Sequence, residues 1–308
     1  MNMGIIAGSR LRASPFNTSA FVIEVDSTES GTSNNDQFQF TGAQGEYDVV
    51  AKQNGTQVAT FNDLSDEATI TFASAGIYDL EVFPKASNGF DRIRFDNKGD
   101  NDKILDTKQW GDVVWSSFER AFFGCSNMLT TATDAPNLSN VTNMYAMFTS
   151  ASSANPDTTN WDVSNVTSMR SMFTNATSAN PDTSNWDVSS VTDMSFMFQN
   201  ATSANPNTSN WNVSSVTDMK AMFRFATVAN PNTSNWNVSN VTDMSFMFED
   251  SALSVENLTA CYENWSQLNL QQNVSFSAGT TKYNSSGQAG RDILVNTYNW
   301  TITDGGQV

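Results

Sequence analysis

The chain has 308 residues, of which 39% are hydrophobic, enough for a folded protein of one or two domains. Acidic residues outnumber basic residues 32 to 15, and the formal charge of −17 excludes a surface that gathers nucleic acid or anionic membranes. Histidine is absent, which removes the commonest general base and transition-metal ligand and excludes Ser–His–Asp hydrolase chemistry.

The first eighteen residues are predicted to form an irregular arm. Their only apolar stretch, 4–8, precedes Arg10 and Arg12, whereas a secretory signal has its basic residues in front of a longer apolar segment. No run in the sequence approaches the ~20 apolar residues of a membrane span. We therefore predict neither export nor membrane insertion, and we interpret residues 1–18 as a docking arm for other virion or surface structural proteins.

Residues 19–90 are predicted to form a small β-sandwich of the immunoglobulin-like type. Short runs rich in β-branched and aromatic residues alternate there with Gly, Asn and Ser. The segment 75–82 (Ala-Gly-Ile-Tyr-Asp-Leu-Glu-Val) resembles the closing hairpin of the polycystic-kidney-disease type of immunoglobulin-like module. The typical Trp-Gly-Asp-Gly turn of that module is replaced by Gln53-Asn54-Gly55. The predicted strands are 21–25, 38–40, 47–51, 68–72 and 77–82.

A 25-residue repeat, W-[DN]-V-S-[NS]-V-T-x-M-x-x-M-F, follows in the second half of the chain. Such a period is typical of a solenoid, in which each unit buries its apolar face against its neighbours. We assign residues 91–250 to this solenoid and residues 251–308 to a C-terminal cap. The tryptophans of the four clearest repeats are Trp161, Trp186, Trp211 and Trp236.

The apolar spacing within one repeat predicts its local structure. Trp161 and Val163 flank a polar residue, which favours a short strand, and the four apolar residues from Val166 to Phe173 share one face of a short helix. The predicted fold class is therefore mainly β with short helices: a β-sandwich-like domain, then a leucine-rich-repeat-type solenoid with one short strand and one short helix per coil.

The repeat residues resemble those of the BspA-like family of leucine-rich-repeat surface proteins. The resemblance lies in Trp186–Met194 (Trp-Asp-Val-Ser-Ser-Val-Thr-Asp-Met), in Met197-Phe198, and in the stretches 122–125 (Phe-Phe-Gly-Cys) and 300–306 (Trp-Thr-Ile-Thr-Asp-Gly-Gly). It covers about residue 103 to the C-terminus. The resemblance implies an extracellular, non-enzymatic adhesion or recognition protein, on bacteria or on viruses that infect them.

Aligned polar residues of the repeats are the candidate binding residues. In-register columns of Asn and Thr stabilise a stack through hydrogen bonds along it, and the same columns also offer a flat polar face to a glycan or a protein. Aligned threonines additionally permit an ice-binding interpretation. The candidate exposed columns are Thr158, Thr183, Thr208 and Thr233; Asn160, Asn185, Asn210 and Asn235; and Asp162, Asp187, Asn212 and Asn237.

Other side chains suggest metals. Asp96, Asp100 and Asp102 lie in one loop and are a candidate calcium site, although the spacing and closing Glu of an EF-hand are missing. The methionine columns could bind soft copper, but with no His or Cys beside them core packing is the better interpretation. Cys125 and Cys261 are predicted to be buried thiols.

These features together predict a non-enzymatic recognition protein. We expect it to be mounted on a virion, as a phage decoration or tail-fibre protein that presents its repeats to a host-surface glycan or protein. The alternative is a bacterial cell-surface adhesin, and a homo-oligomer remains open in either setting. A glycosidase with paired carboxylates is a remote alternative, because repeated acids lack the unlike environments that separate an acid from a nucleophile.

Overall fold

The computed structural model describes residues 16–86 and 89–308. The predicted docking arm, 1–18, therefore lies outside the described residues except for its last three. The N-terminal part contains an antiparallel five-stranded sheet in the order β4-β3-β6-β1-β7 and a separate antiparallel pair, β2-β5. The strands are β1 (Phe21–Asp26), β2 (Gln37–Gln39), β3 (Glu46–Gln53), β4 (Thr56–Ser65), β5 (Thr69–Thr71), β6 (Ile77–Pro84) and β7 (Ile104–Gln109).

Alternation along the strands supplies the core of this part. In β3, Tyr47, Val49 and Ala51 are buried while their neighbours face outward, and the rings of Phe72 and Tyr78 stack 3.9 Å apart. The sequence predicted a sandwich, and that is wrong: the described residues up to the end of β7 form one five-stranded sheet and a separate two-stranded pair. The sequence also missed β4, whose residues are mostly exposed at the sheet edge, so no buried alternation marks it.

Strand β7 joins the sheet to the repeats. It pairs with β1 on one side, and on the other Leu129 donates its amide to the carbonyl of Leu105 at 2.7 Å. The large sheet thus takes one strand from the segment that the sequence assigned to the repeats. A single apolar core consequently runs from the sheet through the repeats to the C-terminal end.

Residues 136–250, which we call the repeat stack, pile successive repeats on one another. The rings of Phe148 and Phe173 stack with centroids 5.6 Å apart, and the column continues at similar spacing to Phe248. Backbone amides add to this, since Phe148 donates to the Met172 carbonyl at 2.9 Å. Each repeat therefore buries its apolar residues against the next one.

The repeats contain neither the predicted strand nor the predicted helix, so the leucine-rich-repeat-type solenoid with one strand and one helix per coil is wrong. Adjacent repeats are joined by isolated parallel bridges such as Ser168–Asp193, and the other residues form turns and irregular segments. The reason is backbone conformation: Ser171 and Asn175 have φ of 55° and 59°. Left-handed residues cannot continue a right-handed helix, so the segment folds as consecutive tight turns.

The C-terminal part closes the stack. The side-chain hydroxyl of Ser254 caps α1 by accepting the Asn257 amide, and Leu258 and Trp265 of that helix are buried on the last repeat. Neither helix of the described residues has the length and apolar composition needed to span a membrane. The elements are α1 (Val255–Trp265), β8 (Ser275–Ser277), α2 (Gln288–Asn296) and β9 (Thr301–Thr303), with β8 and β9 parallel.

Candidate functional site

The threonine column that was predicted to be exposed is buried. Thr158, Thr183, Thr208 and Thr233 have 0–1% exposure. The hydroxyls of Thr158 and Thr183 donate to backbone carbonyls of the following repeat, at 2.6 and 2.8 Å. The prediction that these four residues form an exposed binding column is therefore wrong: the first three hydroxyls donate to carbonyls of the following repeat, and the fourth contacts the Cys261 thiol. A column of Thr cannot be told from a surface column by spacing alone.

The predicted asparagine and aspartate columns are exposed, and several of their members cap turns of their own repeat. Asp162 accepts both the amide and the hydroxyl of Ser164, and Asp187 accepts the Ser189 amide. These bonds favour the ionised form and lower the pKa of both carboxyls. The exposed members of the predicted site are Asn160, Asn185, Asn210, Asn235, Asp162, Asp187, Asn212 and Asn237.

A second asparagine column, outside the predicted site, links the repeats. The Asn155 side-chain oxygen accepts the Asn180 amide at 2.8 Å, and the same bond recurs from Asn205 to Asn180 and from Asn230 to Asn205. The signal in the sequence is an Asn that always precedes the repeat's Pro. These residues stabilise the stack, and their side-chain oxygens are already occupied.

An acidic column runs beside the first Met of each repeat. Asp193, Asp218 and Asp243 are joined by parallel bridges, which bring like charges into neighbouring positions. Partial burial first, then the charges of Asp193 and Asp243, raise the pKa of Asp218. Arg170 lies 3.9 Å from Asp193 and offsets part of the charge at one end.

Four positions differ most in side-chain type from repeat to repeat. They are the two residues after the first Met and the two after the Phe, whereas the Trp, Val, Met, Phe and Pro positions are buried. All three basic residues of the repeat stack fall at these positions, together with its aromatic residues outside the Trp and Phe columns. We call six of them the variable face: Arg170, Phe196, Lys220, Arg224, Phe225 and Phe246.

Cations and rings pair along the variable face. The Arg170 guanidinium lies 5.1 Å from the Phe196 ring centroid of the next repeat. Arg224 lies 4.6 Å from the ring of Phe225 and 4.9 Å from that of Phe246, and donates from Nε to Glu249 at 2.5 Å. Such pairs hold both groups at the surface while leaving them accessible.

Two members of the variable face remain open to a partner. Phe246 is 42% exposed, more than the other aromatic residues of this stack. The ammonium of Lys220 has no ion-pair partner among the residues that the structure describes. Exposed aromatic and arginine side chains are the residue types that dominate binding energy at interfaces. The sequence did not predict these positions as binding residues, because the repeat motif specifies no residue type there.

Two of the three carboxylates predicted to bind calcium are held by other groups of the protein. Asp96 pairs with Arg120, Arg94 and Lys98, at 2.6, 3.6 and 3.5 Å. Asp100 is buried and accepts the amides of loop residues 32 and 33 and of Gln39 in β2. Within the described ranges, no group of three or more acidic or cysteine side chains is arranged to hold a metal. The calcium prediction for Asp96, Asp100 and Asp102 therefore gains no support.

Both cysteines are buried and free, as predicted from the sequence. Burial raises the pKa of the Cys125 thiol well above its usual value and that of Cys261 to about 12. Cys261 lies 3.0 Å from the hydroxyl of Thr233. A thiol with so high a pKa is a packing group and a poor nucleophile.

Comparison with known proteins gives a family for the repeats. No curated protein and no solved structure matches the chain. A family profile described as "Mycoplasma protein of unknown function, DUF285" matches residues 116–232 and, a second time, residues 205–289. The two matches together extend over more than half of the chain and include all of the variable face. The chain therefore belongs to the DUF285 family.

Proposed function

We propose that this chain is a non-enzymatic recognition protein that binds its partner through the variable face. The observation that carries the proposal is that invariant and variable positions of each repeat have different roles. The invariant Trp, Val, Met, Phe and Pro positions are buried, the Asn before each Pro is hydrogen-bonded between repeats, and the basic side chains occur where the repeats differ. A regular scaffold with a varied face is the usual design of repeat proteins that bind large partners.

The partner we propose is a glycan or a protein on a cell surface. Arginine and aromatic side chains can bind either a glycan or a protein, since they are the residue types that dominate binding energy at interfaces. A polyanion such as nucleic acid is disfavoured by the charge of −17. The Asn and Asp columns that the sequence suggested, among them Asn185 and Asn210, serve as the competing location for binding.

A surface setting is supported by the resemblance of the repeats to BspA-like surface proteins. The description of the matching family names a bacterial protein, which favours a cell surface, whereas the virion setting rests on the sequence interpretation alone. Mass spectrometry separates the two settings. Peptides of this chain enriched in purified virus particles would support the virion, and their recovery in washed cell envelopes would support the adhesin.

The absence of catalysis is part of the proposal. The carboxylates of the repeats recur in like surroundings, so none is set apart as a general acid. Incubation of the purified chain with cell-surface polysaccharide should release no reducing ends. Release that depends on any one carboxylate of the chain would replace this proposal with a glycosidase.

Binding itself is tested with labelled full-length chain on intact cells of the host. We expect saturable binding that excess unlabelled chain displaces. The control is an equally acidic protein of similar size without the repeats. Binding that does not saturate, or that equals the control, would contradict a recognition function.

A further inference from the structure

A cleft of about 230 Å³ lies at the C-terminal end of the variable face. The last repeat forms one wall, with Phe246 and Glu249, and strands β8 and β9 form the other. Phe246 belongs to the variable face, so the cleft continues the surface proposed for recognition. Its volume suits one small ring-shaped group and not a large cofactor.

Four hydroxyls in this cleft have no hydrogen-bond partner within the described part of the chain. They belong to Ser245, Ser275, Thr301 and Thr303. Some hydroxyls of the stack are used instead between repeats, such as those of Thr217 and Thr242, which donate to carbonyls of the preceding repeat at 3.2 and 3.0 Å. The cleft therefore concentrates hydroxyls that can both donate to and accept from a ligand.

The cleft also contains a free backbone amide. In preceding repeats the equivalent amides of Phe196 and Ala221 each donate to the next repeat at 2.8 Å. Among the described residues the Phe246 amide makes no such bond. The cause is the extended course of β8, where Ser275 and Ser277 accept the amides of Met244 and Phe248. The repeat advances four residues between these two bonds, whereas β8 advances only two. No carbonyl of β8 is therefore left to accept the amide of Phe246, which lies midway between them.

We propose that this cleft binds one sugar ring, the terminal unit of a surface glycan. The Phe246 ring offers a flat apolar face for the C–H side of a sugar, while the free hydroxyls and the amide match its hydroxyl groups. Glu249, held by Arg224, adds a charged acceptor. The inference rests on the proposed recognition function and names the partner as a glycan. A peptide strand added along β9 would use backbone groups and would not need the hydroxyls.

Ligand-observed saturation-transfer NMR on the full chain tests the proposal. The probes are the methyl glycosides of glucose, galactose, mannose and N-acetylglucosamine, of which we expect at least one to receive saturation. Phe246→Ala should abolish the signal. The double variant T301V/T303V, which keeps the shape of the cleft, should weaken binding roughly tenfold through two lost hydrogen bonds. Val228→Ala, at an apolar residue that is 47% exposed and lies outside the variable face and the cleft, should bind as the parent chain does.

Several results would overturn the sugar site. They are no saturation of any of the four glycosides, unchanged binding by T301V/T303V, or equal loss in Val228→Ala. Circular dichroism of each variant checks that it is folded. If Phe246→Ala does not fold, the result for T301V/T303V alone tests the sugar site. Cell binding separates the two proposals. If the chain binds cells but none of the four glycosides, the recognition function is supported and the sugar site is ruled out. If the chain binds a glycoside but not cells, the sugar site is supported and the recognition function is contradicted.

Discussion

The indole Nε1 of Trp211 donates a hydrogen bond of 3.2 Å to the backbone carbonyl of Thr183, 28 residues earlier. The same bond joins Trp236 to Thr208, and Trp265 of α1 repeats it on Thr233 at 3.2 Å. The C-terminal helix thus takes over the role of a repeat tryptophan. At the other end of the stack the Trp161 indole nitrogen is buried without a partner. The two ends of the tryptophan column therefore differ in whether the indole N–H has a hydrogen-bond acceptor.

This difference predicts unequal effects of the same substitution at the two positions. Trp211→Phe should lower the free energy of unfolding by about 1 kcal/mol, because it removes a buried hydrogen bond as well as ring area. Trp161→Phe removes a donor that has no acceptor and should be less costly or neutral. Chemical denaturation of both variants measures the difference. An equal loss in the two would show that ring volume alone sets the cost.

The asparagine column gives a second prediction. Asn205→Ala should destabilise the chain by about 1 kcal/mol, since the Asn230 amide loses the oxygen that accepts it at 3.0 Å. Asn205→Asp keeps an acceptor at that place and should recover most of the loss. Thermal unfolding of the pair is the measurement, and a failure of Asp to recover stability would contradict a role as acceptor.

The acidic column predicts a dependence on pH. A raised pKa means that Asp218 holds its proton more tightly in the folded chain, so its contribution to stability is greatest below the usual Asp pKa and falls as pH rises through the raised value. Asp218→Asn, which keeps an acceptor for the Lys220 amide, should therefore stabilise the chain at neutral pH by about 0.2–1 kcal/mol.

The control for that variant is Asp187→Asn. The lowered pKa of Asp187 gives stability above the usual Asp pKa that is lost as pH falls through the lowered value, so this substitution should not stabilise at neutral pH. Unfolding temperatures of both variants between acid and neutral pH give the comparison. A stabilised Asp187→Asn would point to net charge and not to the acidic column.

The buried Lys103 predicts a large effect in the N-terminal part. Its ammonium is fully buried, lies 3.9 Å from Asp100 and donates to the carbonyls of Ser33, Asn34 and Gln37. Lys103→Met leaves those carbonyls without a donor and should cost about 3–5 kcal/mol. Lys98→Met is the matched change at a lysine that is 69% exposed, and it should cost about 0–1 kcal/mol. Urea denaturation of the two should separate them clearly.

Burial in the repeats could be predicted from the sequence, and backbone conformation could not. Spacing placed Trp161, Val166 and Phe173 in the core, where the structure has them. It then assigned a helix to residues that share a face, because apolar spacing of three and four fits both a helix and a run of tight turns. The left-handed φ of Ser171 and Asn175 decides between the two, and neither is a glycine that would have signalled it.

The candidate site was only partly predictable for a related reason. Repetition directed attention to aligned residues such as Thr183 and Asn185, although alignment is what stacking itself requires. The residues left free by stacking are those that do not repeat, such as Arg224 and Phe246. Their proximity across 22 positions of sequence becomes visible only once the repeats are folded.

The variable face is tested most directly by cell binding of two folded full-length variants. One carries alanine at Arg170, Phe196 and Arg224, and the other at Asn160, Asn185 and Asn210 on the exposed asparagine column. We predict that the first loses at least about tenfold in affinity, as expected for several interface residues of these types, and that the second binds like the parent chain. Full binding by the first variant together with loss in the second would contradict the account and place recognition on the asparagine column.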